Sequence, residues 1–88
     1  MQKQTVNFID QYIGSRLKLM RNKQSLSQSK LAEALNLSVV NITDMENGSE
    51  RISAIIVWRL TQIFDVKVSY FFDGIDSVVL DEIPNEDA

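Results

Sequence analysis

A chain of 88 residues, 44% hydrophobic and 24% charged with one proline and three glycines, has the make-up of one globular domain with a single core and no room for a separate catalytic domain. It contains no cysteine and no histidine, which excludes disulfides, thiolate nucleophiles, zinc-finger ligation and histidine acid-base chemistry; the carboxylates are spread along surface-like positions, so no enzyme activity, metal or cofactor is expected. The net charge of −3 is unevenly distributed: residues 73–88 hold Asp73, Asp76, Asp81, Glu82, Glu86 and Asp87 with no base, whereas residues 1–72 hold all nine Lys and Arg against six acids.

The polar opening MQKQTVNFID lacks the basic segment and apolar stretch of a signal peptide. No run reaches the roughly 18 uncharged apolar residues of a membrane helix, so a cytoplasmic location is expected. Residues 1–13 read as an N-terminal extension leading into a first helix, residues 14–74 as the domain proper, and residues 75–88 as an acidic, mobile tail. From Thr5 to Asn22 the apolar residues Ile9, Ile13, Leu17 and Met20 recur at the spacing that lines one helix face, with Asn7 or Thr5 as the cap. Arg16, Lys18 and Arg21 fall opposite that stripe and read either as a solvated face or as phosphate contacts.

Ser27 is a natural N-cap for a second helix through Leu35, which ends at Asn36, a residue tolerant of the left-handed conformation. Ser38 caps a third helix of about two turns, with Ile42 and Met45 facing inward. Two short helices joined by Asn36-Leu37-Ser38 have the layout of a helix-turn-helix. Asn47-Gly48-Ser49 breaks the chain, and Ser53 starts a fourth helix through about Phe64 with Val57, Leu60, Thr61 and Phe64 inward. Lys67 to Phe72 makes a short fifth helix, and Asp73-Gly74 closes the domain. In the tail, Ser77-Val78-Val79-Leu80 is the one apolar patch, a short strand at most.

The run Ser27-Gln28, Leu31-Ala32, Leu37-Ser38, Ile42, Met45-Glu46-Asn47-Gly48, then Val57, Leu60 and Val66, resembles the phage-repressor family of helix-turn-helix proteins, also called xenobiotic-response-element-like, over about residues 14–72. The resemblance implies an all-α, five-helix, lambda-repressor-like domain that docks its third helix, residues 39–46, into the major groove of double-stranded DNA as a transcriptional regulator, a repressor by preference. Carried over position by position, the base-reading residues are Val39, Val40, Thr43 and Asp44, with Asn41 near the rim. Phosphate contacts fall to Ser27, Gln28 and Lys30 at the start of the second helix, and to Asn47, Gly48, Ser49 and Arg51 after the third.

The chain departs from the family pattern at its reading positions, where two valines and an aspartate stand in place of the usual hydrogen-bonding side chains. Valine methyls can pack on thymine methyls and Asp44 can accept from cytosine N4, so the reading leans on phosphate contacts and duplex shape. Ser25 and Asp65 stand where the family often has glycine, at a cost of up to about 1 kcal/mol each if the backbone there is left-handed.

The fourth helix carries more apolar residues than one stripe requires. Ile55, Ile56, Trp58 and Ile63, with Phe72, are the candidate homodimer interface, which would set two reading helices about one duplex turn apart. The competing cover for that surface is the N-terminal segment Val6, Phe8 and Tyr12. The rival function is a protein-interaction module, antitoxin-like or anti-repressor, contacting a protein partner through the acidic tail or the valine-bearing helix.

Overall fold

Serine side chains start three of the helices. The computed structural model describes residues 8–74, and in it five helices follow one another: α1 (Phe8–Lys23), α2 (Gln28–Leu35), α3 (Val39–Asn47), α4 (Ala54–Phe64) and α5 (Ser69–Phe72). Ser27, Ser38 and Ser53 each sit in extended backbone and accept a bond from the amide three residues on, at Lys30, Asn41 and Ile56. The expected caps at Thr5 or Asn7, the tail patch Ser77–Leu80 and the N-terminal cover residue Val6 lie outside the described residues. Among the described residues there is no strand, and no helix is long and apolar enough to cross a membrane.

The helices stop as regularly as they start. Ser25, Asn36, Gly48 and Asp65 all have positive φ, between 55° and 78°, and the next residue's amide reaches back five positions, from Leu26 to Arg21, Leu37 to Ala32, Ser49 to Asp44 and Val66 to Thr61. This is the Schellman termination, which satisfies carbonyls that the helix end leaves unpaired. Ser25 and Asp65 therefore do adopt the left-handed backbone that glycine favours. The fifth helix is shorter than expected: Lys67 and Val68 form the turn that receives the amides of Tyr70 and Phe71.

The core collects one side from every helix. Ile13, Leu17 and Met20 of α1 meet Leu31, Ala32 and Leu35 of α2, Ile42 and Met45 of α3, Val57, Leu60 and Phe64 of α4, and Phe71 of α5. Burying a Leu, Ile or Phe side chain is worth about 1.5–3 kcal/mol, so this cluster supplies the main drive to fold. The inward residues expected on α4, Val57, Leu60, Thr61 and Phe64, are all buried.

α1 and α3 cross closely because Gly14 lies at the crossing. A Cβ there would stand 2.1 Å from the Met45 carbonyl oxygen, a separation no side chain tolerates. Two residues before Gly14, the Tyr12 hydroxyl donates to the Asp73 carbonyl and ties α1 to the residue after α5. Tyr70 and Arg16 tie α5 to α1: Arg16 Nε donates to the Tyr70 carbonyl at 2.9 Å, its guanidinium lies 4.0 Å from the Tyr70 ring centre, and the Tyr70 hydroxyl donates back to the Arg16 carbonyl at 3.2 Å.

Candidate nucleic-acid interface

The helix-turn-helix comprises α2, the turn Asn36-Leu37-Ser38 and α3. Leu37 packs against the core and fixes the angle between the two helices, while Ser38 and Asn41 form a reciprocal capping box: the Ser38 side chain accepts from the Asn41 amide, and Asn41 Oδ1 accepts from the Ser38 amide at 3.1 Å. α3 buries Ile42, Met45 and Glu46 and turns Val39 and Val40 outward, 41% and 67% exposed. Thr43 and Asp44 are half-buried at the edge of the same surface. The residues expected to read bases therefore lie together on the outside of the domain.

Beneath that surface is a buried polar cluster. Arg21, expected as a solvated or phosphate-facing residue, is buried and meets Glu46 twice, Nε to Oε2 at 2.5 Å and Nη2 to Oε1 at 3.1 Å, while Nη1 donates to the Leu26 carbonyl at 2.9 Å. The α1 stripe of Ile13, Leu17 and Met20 does not reveal this, because a helix lying between two neighbours buries more than one stripe. Hydrogen bonding to Glu46 holds the Arg21 guanidinium above its ordinary pKa against the downward push of burial, and the carboxylate's charge adds to the effect. Arg21 therefore stays charged across the pH range in which proteins are handled.

Gln28 joins the same cluster. Its Nε2 donates to Glu46 Oε1 at 3.0 Å, and its Oε1 lies 3.4 Å from the Thr43 hydroxyl, which also donates to the Val39 carbonyl at 3.0 Å. One carboxylate thus connects α1, the start of α2 and the last turn of α3. No buried side-chain polar atom among the described residues is left without a partner.

Around the rim, Ser27 and Lys30 are exposed at the start of α2, as a phosphate site needs. Asn47 is exposed at the end of α3, and Arg51 is exposed with its Nε 3.4 Å from the buried Asp10 carboxylate. Gly48 and Ser49 differ from expectation. The Gly48 amide donates to the Met45 carbonyl, and the Ser49 amide and hydroxyl both donate to the Asp44 carbonyl. The carbonyls of α3's last turn have taken the donors that a phosphate contact here would need. Arg16 is likewise committed to Tyr70, whereas Lys18 is exposed.

Of the remaining candidates, Ile55 and Trp58 of α4 are 70% and 61% exposed, and Val68 and Phe72 are exposed as well. Ile56 and Ile63, expected at the same surface, are half-buried and pack against the protomer's own core, because their positions on α4 turn them toward it. Val68 was not among the expected interface residues. A groove of about 480 Å³ runs next to this patch, lined by Ile9, Ile13, Ile52, Val57 and Phe72 with Arg51 and Asp10 at its polar end.

The comparisons agree with this geometry. A family model described as helix-turn-helix matches residues 17–71, and the chain belongs to that family. An uncharacterized HTH-type transcriptional regulator of Sinorhizobium medicae is 38% identical over 71 residues, covering 81% of this chain and 51% of that protein. The HTH-type transcriptional regulator PrpR of Mycobacterium tuberculosis is 33% identical over 66 residues, covering 75% of this chain and 14% of that protein. The chain thus spans about half the length of the first of these relatives. Among solved structures, the restriction-modification controller protein C.AhdI of Aeromonas hydrophila superposes with a TM-score of 0.66 at 25% identity, covering 72% of this chain and 96% of that one. The clp gene regulator ClgR of Corynebacterium glutamicum, at 18% identity and a TM-score of 0.73 over 88% of this chain and 83% of its own, shares the fold.

Proposed function

We propose that this chain is a DNA-binding transcriptional regulator, acting as a repressor, that inserts α3 into the major groove as a homodimer. The observation that carries the reading is the outward face of α3, held at a fixed angle by the buried Arg21–Glu46–Gln28 cluster and flanked by exposed phosphate-seeking groups at Ser27, Lys30, Asn47 and Arg51. Family membership and relatives named as transcriptional regulators support it. Val39, Val40, Thr43 and Asp44 face the bases in this reading. Gln28, whose amide is already oriented by Glu46, sits beside the backbone together with the α2 amides and their partial positive charge.

The homodimer rests on Ile55, Trp58, Val68 and Phe72, an apolar surface that a monomer leaves in water. Pairing across a two-fold axis there covers it and sets two copies of α3 to meet successive major grooves. An electrophoretic mobility shift on random-sequence duplex at two salt concentrations tests the proposal. Binding that weakens steeply with salt is expected, because each neutralised phosphate releases counterions. Salt-insensitive or absent binding at micromolar protein sinks it.

A further inference from the structure

The hydrogen bonds on α3 decide which atoms it has left to offer a base. Asn41 has its amide oxygen occupied by the Ser38 amide and hydroxyl, at 3.1 and 2.9 Å. Thr43 has its hydroxyl on the protein side, on the Val39 carbonyl and beside Gln28, which leaves its methyl to the groove. Val39 and Val40 contribute only methyls. Asn41 keeps its Nδ2 donors at the rim, and among Val39, Val40, Thr43 and Asp44 the polar group left over is the Asp44 carboxylate, an acceptor that makes no hydrogen bond or ion pair with the described residues. Val40 and Asp44 are four apart on one helix and so are neighbours on one face, with Thr43 beside them.

A methyl surface next to a lone acceptor has a matching base edge. In the major groove thymine offers a C5 methyl, but the oxygen beside it is an acceptor and repels a carboxylate; cytosine offers an amino donor with no methyl. 5-Methylcytosine carries both, the donor at N4 and the methyl at the adjacent C5. Resting on the regulator reading, we propose that α3 recognises duplex DNA through C5-methylated pyrimidines, with 5-methylcytosine the base that Val40 and Asp44 read together. Thymine is the base accepted where Val39 and the Thr43 methyl act without the carboxylate.

The test uses two random-core duplex libraries, one made with cytosine and one with 5-methylcytosine. Duplexes selected by the protein from each are resynthesised without the methyls, cytosine replacing 5-methylcytosine in one case and uracil replacing thymine in the other. Each contacted methyl removed weakens binding about fourfold, the equilibrium equivalent of burying one methyl group. Val40→Ser flattens the difference between methylated and unmethylated duplexes, and Asp44→Ala, which takes away the acceptor, removes the part that depends on 5-methylcytosine. Selected duplexes that bind equally well without their methyls overturn the methyl reading and leave the regulator reading standing; salt-sensitive binding in neither library overturns both.

Discussion

The surface built by α2 and α3 and the surface built by α4 and α5 both lie open, yet they are finished differently. On the first, the polar side chains of Arg21, Gln28, Ser38, Asn41, Thr43 and Glu46 are tied to other groups of the same protomer. On the second, Ile55, Trp58, Val68 and Phe72 are exposed among the described residues. The first surface is a shape fixed in advance of any ligand, which under the proposed function lets it meet a rigid duplex without reorganising. In the proposed homodimer a second copy covers the second surface. A polar surface tied down in advance and an exposed apolar one are thus carried by different helices of the same domain.

The comparison breaks first at Glu46. Glu46→Ala leaves the Arg21 charge buried without its partner and should cost about 3–5 kcal/mol, read as a fall in urea midpoint at unchanged slope. Replacing both, Arg21→Met with Glu46→Leu, should recover most of that stability while releasing Gln28. A single variant as stable as the parent would show that the cluster does not hold the first surface. On the second surface, Trp58→Ala should weaken self-association by about 2 kcal/mol or more, roughly thirtyfold, in sedimentation equilibrium. The thermal stability of the isolated protomer should hardly change, because the indole is largely exposed. An unaltered mass profile would remove Trp58 from any interface.

Smaller effects sharpen the contrast. Gly14→Ala forces a methyl against the Met45 carbonyl and should destabilise by about 1–3 kcal/mol, an overpacking penalty visible in thermal unfolding. Asp65→Gly and Ser25→Gly relieve a left-handed backbone and should each stabilise by up to about 1 kcal/mol; a loss of stability on both would mean that the original side chains compensate for the strain.

Serine caps, helical spacing and the Asn36 and Gly48 stops were legible in the sequence because each is a local rule, satisfied within four or five residues. The outward placement of Val39 and Val40 followed from the position of Ile42 and Met45 on the same helix. What local rules do not contain is the partner of a charge. Arg21 and Glu46 are 25 positions apart and neither looks buried from its neighbours, so their pairing, and the capture of Gln28 by the same carboxylate, emerge only from packing. The commitment of the Gly48 and Ser49 amides to α3 was in principle readable, since a left-handed stop always takes the amides that follow it. Ile56 and Ile63 went to the core because α4 has neighbours on more than one side. Phe71 is buried next to Tyr70 at 5.2 Å between ring centres, a detail that a four-residue helix is too short to signal by periodicity.

Because the links from Glu46 to α1 and α2 run through the inner half of α3, the outer half carries little of the domain's mechanical burden. Val39 and Val40 can be exchanged for side chains of other size or polarity with the scaffold intact, which makes the contact surface a replaceable tip on a permanent handle. Under the proposed function, one or two substitutions there change what the domain reads without first requiring spare stability to absorb them.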